Sequence, residues 1–167
     1  MKISMATMDQ LDEIMDVLSA VVKDMLAHDW DQWGEDHPSR EMFIEHITDS
    51  DLRVVIDNDK IIAFILLTAK QDKEYDDVNW EDKDGRALIV HRVAVHPARQ
   101  REGIANFMMD FAEQYAVENG FTSIRLDTYS KNPRTPKFFE QRGYKYRGQV
   151  HFPQRNLPYN CYEKILV

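Results

Sequence analysis

The sequence predicts an α/β fold: one domain built on a β-sheet of mixed direction. The prediction rests on a 167-residue chain of globular composition, an early β-hairpin, and elements that read β-α-α-β-β-β-α-β-α-β-β. That length suits a single compact core spanning residues 1–167. A composition of 43% hydrophobic and 30% charged residues is neither disordered nor membrane-like. No internal repeat, low-complexity tract or linker interrupts it.

The elements follow from local pattern. Lys2–Met5 reads as a short strand. Thr7-x-x-Gln10 forms a capping box ahead of a helix whose apolar positions are Leu11, Ile14, Met15, Leu18, Val22, Met25 and Leu26. A loop holding Trp30, Trp33 and Gly34 ends at Pro38, and Ser39 caps a second helix with Phe43, Ile44 and Ile47 inward. Leu52–Ile56 and Ile61–Thr68 are strands joined by Asp57-Asn58-Asp59-Lys60, a strong hairpin signal. Lys70–Gly85 is a polar excursion containing Tyr75 and Trp80. Arg86–Val95 is a central strand and Ile104–Asn119 a helix closed by Gly120. Ser123–Thr128 is a strand, Pro136–Arg142 a short helix stopped by Gly143, and Tyr144–Val150 and Tyr159–Leu166 are the final strands.

The formal net charge is −8, which makes nucleic acid a poor partner. The acidity either draws a small cationic substrate such as an amine or serves solubility alone. Acidic residues concentrate in 9–59 and 72–84, whereas 86–155 is more basic. The longest apolar stretch, Ile61–Ala69, is about half the length of a membrane span. The N-terminal residues have no secretory pattern. The single cysteine, Cys161, excludes an internal disulfide. A cytoplasmic location without membrane contact is the expectation. His37 and His46 are too far apart for a shared helical turn, so no metal site is expected.

The most informative segment is Val93-Ala94-Val95-His96-Pro97-Ala98-Arg99-Gln100-Arg101-Glu102-Gly103-Ile104-Ala105. An apolar strand stops at His96-Pro97, a polar loop follows, and Ile104, Phe107, Met108, Phe111 and Ala112 then recur at helical spacing. A strand, a tight loop and a helix N-terminus can present several backbone N–H groups to an anion, backed by the positive helix end. Gly103 permits close approach or an unusual backbone angle, and Arg99 and Arg101 add positive charge. The most economical ligand is a phosphate or pyrophosphate; the alternative is an ordinary capped turn.

Val95-His96-Pro97 followed by Gln100-Arg101-Glu102-Gly103-Ile104-Ala105 resembles motif A of the GNAT superfamily of N-acetyltransferases, V-x-P and then (Arg/Gln)-x-x-Gly-x-(Gly/Ala). Arg101 stands where many members carry an extra glycine. A second match is similar to the family's asparagine ahead of a helix carrying Phe-Tyr-x-x-x-Gly-Phe: Asn132, then Phe138-Phe139-Glu140-Gln141-Arg142-Gly143-Tyr144. The order of elements resembles the GNAT fold over nearly the whole chain, with the specific motifs confined to about residues 91–144. The resemblance implies a mostly antiparallel sheet, a central parallel pair splayed at the coenzyme site, and about four flanking helices. It implies acetyl-CoA as co-substrate, its pyrophosphate on the loop from Gln100 through Arg101, Glu102, Gly103, Ile104 and Ala105. Asn132 would contact the pantetheine arm, Phe139 would stand in the same coenzyme-binding helix, and the strand amides of Val93, Ala94 and Val95 would lie beside the thioester.

Acetyl transfer to an amine requires that the amine lose a proton and that the developing oxyanion find a donor. The resemblance implies the amides of Val93 and Val95 for the second need, Val95 counting among the catalytic residues. His91 is the candidate base: a polar residue among Ile89, Val90, Val93 and Ala94, of a type that titrates near neutral pH. The arylalkylamine branch of the family looks similar in this strand. A structural histidine hydrogen-bonded beneath the sheet is the other reading. The family's frequent general acid, the tyrosine of the Phe-Tyr pair, is replaced here by Phe139, which has no hydroxyl; Tyr129 and Tyr144 are nearby in sequence.

Trp30, Trp33, Tyr75 and Trp80 lie on the two irregular segments that flank the acceptor site in this fold. They either line a pocket, holding a cation through their ring faces, or pack beneath loops. Cys161 reads as buried and inert. The leading expectation is an acetyl-CoA-dependent N-acetyltransferase acting on a small amine by direct transfer in a ternary complex, with homodimerisation left open. The alternatives are an acyl-CoA-binding sensor without turnover, suggested by Phe139, and an unrelated phosphate-binding domain.

Overall fold

The computed structural model describes residues 1–34, 36–153 and 155–166. Seven strands form one sheet in the order β1-β2-β3-β4-β5-β7-β6. They are β1 (Lys2–Met5), β2 (Leu52–Asp57), β3 (Lys60–Thr68), β4 (Ala87–Val95), β5 (Ser123–Tyr129), β6 (Lys145–Val150) and β7 (Tyr159–Ile165). The helices are α1 (Leu11–Ala27), α2 (Arg40–Thr48), α3 (Ile104–Glu118) and α4 (Arg134–Gln141). The expected order of elements is the observed one. The fold is the predicted mixed, mostly antiparallel α/β arrangement, with β4 and β5 the parallel pair.

The chain divides into two compact units. The first comprises residues 1–67 and 92–112. Here β2 and β3 form the expected hairpin, turned by Asn58 and Asp59 at φ 50° and 63°. Positive φ at both central residues gives the turn whose twist matches a hairpin, and asparagine and aspartate tolerate it. Ile14, Leu18 and Val21 of α1 and Phe43 and Ile47 of α2 pack on Leu52, Val54, Phe64 and Leu66. Ser39 Oγ accepts from the Met42 amide at 3.3 Å, capping α2 as expected. Gln10 Oε1 accepts from the Thr7 amide at 2.9 Å, and the chain enters α1 through a 3₁₀ turn, Met8–Gln10.

One detail of α1 differs from expectation. Val17 and Val21 are buried, whereas Leu26 is exposed. The buried stripe is rotated toward Val17 and Val21, leaving Met15 and Met25 half-covered at its edge and Leu26 beyond it, near the C-terminal end of the helix.

The second unit comprises residues 68–91 and 113–167. β7 pairs antiparallel with both β5 and β6. β5 pairs parallel with β4 at only three positions: Ala87↔Ser123, Leu88↔Ile124 and Ile89↔Arg125. α4 begins two residues earlier than Pro136, at Arg134, whose amide donates to Asn132 Oδ1 at 3.0 Å. Gly143, at φ +90°, takes the left-handed angle that ends the helix.

The polar excursion before β4 is more ordered than its composition suggests. Tyr75 and Trp80 are buried in a cluster with Ile89, Tyr129, Val150, Tyr159 and Cys161. Glu163 of β7, its side chain 1% exposed, accepts the amides of Glu81 at 2.7 Å and Asp82 at 3.2 Å. The Arg125 guanidinium lies 3.5 Å from Glu163 and 4.6 Å from the centre of the Trp80 ring, and also donates to the Asp82 carbonyl. A buried carboxylate is tolerable only when paired and hydrogen-bonded in this way. A second hub is Glu113, which receives Arg142, the Tyr144 hydroxyl and Lys164.

Removing one partner of a buried charge network leaves the others unpaired. Glu163→Ala is therefore expected to lower unfolding stability by about 3 kcal/mol, read by urea denaturation. A loss within about 0.5 kcal/mol, the usual surface value, would contradict the anchoring role.

Candidate active site

In the first unit β4 ends at Val95, and a 3₁₀ turn follows at Pro97–Arg99. His96 Nδ1 accepts from the Ala98 amide at 3.0 Å and starts that turn. Arg99 does not supply free positive charge. Its guanidinium is engaged by Asp57 at 2.7 Å and Glu102 at 3.0 Å, and Arg99 in turn holds the Asp57 carboxyl below its usual range. It ties the hairpin turn to the loop. Arg101 makes no ion pair among the described residues and remains the loop's available cation.

The backbone then takes left-handed angles at Arg101 (φ 66°) and Gly103 (φ 81°). α3 starts at Ile104, and its first helical bond runs from the Phe107 amide to the Gly103 carbonyl. The amides of Ile104 and Ala105 precede that bond and have no helical acceptor. A Cβ at Gly103 would meet nothing within 4 Å, so space is open beside Gly103 itself. Strand, loop and helix N-terminus are arranged as an anion cradle requires.

The end of β4 has a feature that periodicity could not reveal. Arg92 sits at φ 54°, a left-handed angle inside a strand, and the in–out alternation fails there: His91, Arg92 and Val93 are all half-buried. Arg92 is held by donation to His46 Nε2 at 3.1 Å. Past it, Ala94 joins the core of its unit, and Val93 and Val95 are half-buried. Gln100 Nε2 reaches the Val95 carbonyl at 3.5 Å.

In the second unit, His91 and Asp127 lie two residues beyond the last parallel pair, Ile89↔Arg125. Side chains alternate along strands, so both point to the face of that pair. The His91 ring, 19% exposed, has Nδ1 4.0 Å from Asp127 Oδ2 and Nε2 3.7 Å from Asp72 Oδ2. The Tyr75 hydroxyl donates to Asp127 Oδ2 at 2.5 Å, and the Tyr75 ring centre is 6.0 Å from that of His91. Burial, then the Asp127 charge, pushes the Tyr75 phenol well above its usual range, so it is a neutral donor. Sequence reasoning singled out His91 and missed Asp127 and Asp72. Periodicity gave no such signal for Asp127, which falls on the polar positions of an alternating strand, Ser123-Ile124-Arg125-Leu126-Asp127.

Of the other expected site residues, Asn132 is buried and turns the chain into α4. Phe139 is buried between Phe138 and Tyr144, ring centres 5.0 and 5.6 Å away. The Tyr144 hydroxyl donates to Glu113 at 3.1 Å, and burial raises its pKa far above the ordinary phenol value. Tyr129 is buried against Tyr159, ring centres 5.0 Å apart. In the first unit Trp30 stacks on His28 at 4.5 Å and Trp33 is buried 6.4 Å from Phe64. In the second, Tyr75 and Trp80 are core residues, which accords with packing beneath a loop. Cys161 is buried, its thiol pushed up by burial and by Asp127. Among the described residues no group of His, Cys, Asp and Glu could hold a metal ion, and no helix is long and apolar enough to cross a membrane.

Comparison with known proteins gives a family. The model of the acetyltransferase (GNAT) family matches residues 22–144. Among solved structures, a GNAT-family acetyltransferase from Streptococcus agalactiae is 22% identical with a TM-score of 0.85, covering 99% of this chain and 95% of that one. The PaiA N-acetyltransferase of Thermoplasma acidophilum, solved in complex with coenzyme A, is 16% identical with a TM-score of 0.74, covering 99% and 98%. The ribosomal-protein-S18-alanine N-acetyltransferase of Escherichia coli is 12% identical with a TM-score of 0.71, covering 97% and 91%. At these identities the structures show a shared fold. No curated protein matches the chain.

Proposed function

Given that this chain belongs to the acetyltransferase (GNAT) family and is an acyltransferase using acetyl-CoA, we propose that its acceptor is a small amine, acetylated by direct attack in a ternary complex. The observation that carries this reading is the half-buried His91 imidazole between the carboxylates of Asp72 and Asp127. Two carboxylates attract a protonated amine, and the imidazole is the group suited to take its proton at neutral pH. The net charge of −8 favours a cationic acceptor over an anionic one. The sensor alternative rested on Phe139 alone, and membership of an acetyltransferase family favours turnover.

The strand, loop and helix N-terminus of the first unit support a coenzyme pyrophosphate there. The amides of Arg101, Glu102, Gly103, Ile104 and Ala105 would hold the pyrophosphate, with Gln100 bracing the loop. Val93, Ala94 and Val95 would offer strand backbone to the acyl end, the Val95 amide meeting the oxygen where negative charge develops. Asn132 and Phe139 would contact the pantetheine arm. When bound, the coenzyme supplies an activated acetyl thioester. His91 accepts the acceptor's proton, directly or through one water, and Asp72 holds the incoming ammonium. Tyr144 is committed to Glu113, which favours departure of the thiolate without a tyrosine acid from that residue. Trp30 remains a candidate for the acceptor's apolar part. A cytoplasmic site of action accords with a lone, buried cysteine.

The ribosomal-protein-S18-alanine N-acetyltransferase points to a competing class of acceptor, an alanine amine of a protein. Coenzyme release measured against small primary amines and against short peptides separates the two. Faster turnover with a small amine is expected, whereas turnover with peptides alone would overturn the small-amine reading. With the best amine, His91→Gln should lower kcat/KM about 10²-fold and abolish the acidic limb of the pH profile. A wild-type rate and unchanged profile would make His91 structural.

For the coenzyme, Gly103→Glu places a carboxylate at the positive helix end and a side chain at a left-handed angle, at a cost of about 1–2 kcal/mol. The open space at Gly103 lets the fold survive. Calorimetry should show coenzyme A binding at least about tenfold weaker, a loss of about 1.4 kcal/mol; unchanged affinity would remove the loop from the site.

A further inference from the structure

We propose that Asp127 is the positioning residue for proton transfer at His91, its carboxylate fixed in turn by the Tyr75 hydroxyl. The inference rests on the reading of His91 as the base and gives a role to residues that reading does not use.

Asp127 occupies the interior of β5, its side chain 10% exposed. A carboxylate so enclosed requires donors. Tyr75 is one, through a charge-assisted bond of 2.5 Å. The bond spans 52 residues of sequence, from the loop before β4 to the strand beside it. Tyr75 is fully buried in the cluster with Trp80, Tyr129 and Tyr159, so its hydroxyl requires a partner; the partner it has is the carboxylate that faces His91.

The groups facing the imidazole are Asp72, Asp127 and Tyr75, and Cys161 is paired with Asp127 across the β5–β7 ladder. Tyr75 and Cys161 are both pushed toward their neutral forms by burial. The charge acting on Nδ1 is therefore that of Asp127. Asp72 lies 3.7 Å from Nε2 but its side chain is half exposed and screened by water, whereas Asp127 is enclosed; the enclosed carboxylate therefore sets the tautomer, with the proton on Nδ1 and the Nε2 lone pair left for the acceptor. At 4.0 Å the contact between Nδ1 and Asp127 Oδ2 is electrostatic rather than a direct hydrogen bond. In the transfer, an N–H bond of the acceptor breaks and its proton joins Nε2. The Nδ1 proton stays in place, and the resulting imidazolium lies against Asp127. The electron pair left on the acceptor nitrogen forms the bond to the acetyl carbon as the carbon–sulfur bond breaks to give the thiolate, and the second proton of the former ammonium passes from the acylated nitrogen to the thiolate or to water, leaving the neutral amide.

The test compares His91→Gln, Asp127→Asn, their double variant and Tyr75→Phe with the best small-amine acceptor. Asp127→Asn should lower kcat by about tenfold or more with KM little changed. It should also move the acidic limb of kcat/KM to lower pH, because the imidazolium loses its counter-charge. Tyr75→Phe should move that limb to higher pH, because an Asp127 without its donor presents more negative charge to the ring. In the His91→Gln background Asp127→Asn should cost nothing further, since residues acting as a unit are non-additive. An unmoved limb in Asp127→Asn, or an equal loss in both backgrounds, would overturn the positioning role while leaving His91 as the base. A silent His91→Gln would overturn both. Should Asp127→Asn fail to fold, Tyr75→Phe decides alone: a limb shifted upward supports the proposal, and an unmoved one overturns it.

Discussion

The parallel ladder between β4 and β5 is only three pairs long, and where it stops determines what the second unit can do. Through Ile89 and Arg125 the two backbones satisfy each other. Two residues further, side chains of matching direction face each other, and the sequence places a histidine on one strand and an aspartate on the other. The enclosed Asp127 carboxylate is tolerated because a loop delivers a donor, Tyr75, and the same loop brings a second carboxylate, Asp72, to the other edge of the imidazole.

That loop is held by chemistry rather than by regular structure. Burial of Tyr75 and Trp80 supplies the apolar contribution, at about 1.5–3 kcal/mol for a large side chain fully withdrawn from water. Glu163 and Arg125 supply the polar one: the carboxylate satisfies two loop amides, and the guanidinium pairs with it and covers the Trp80 ring. A satisfied buried network rigidifies what it joins, so the position of Asp72 and Tyr75 relative to His91 is set by residues of β5 and β7. In the first unit Arg99 plays the corresponding part. It joins the hairpin turn at Asp57 to Glu102 of the loop, which fixes the loop that leads into α3.

Much of this was legible in the chain itself. The hairpin turn at Asn58-Asp59, the Ser39 cap, the helix stops at Gly120 and Gly143, and the order of all eleven strands and helices are local or periodic signals that the sequence displays directly. The anion-cradle loop was legible for the same reason, since strand end, glycine and helix start are contiguous. What the sequence could not display is pairing at a distance. Arg99 counts as a free charge until Asp57 is seen beside it. For Tyr75 and Trp80 the sequence leaves pocket lining and packing beneath a loop both open until Glu163 is seen holding their segment down. Leu26 looks inward until the stripe of α1 is seen to turn toward Val17. Asp127 passes as one more charge in a strand until the β4–β5 register sets it level with His91.

If His91 is the base, the acceptor nitrogen meets the protein at its imidazole. The most direct measurement is a crystal structure of the chain with the acetylated form of its best amine. The product amide nitrogen should lie within about 3 Å of His91 Nε2, or one water away, with Asp72 near the same nitrogen. A product seated with its amide out of reach of His91, and with no water between them, would contradict that role.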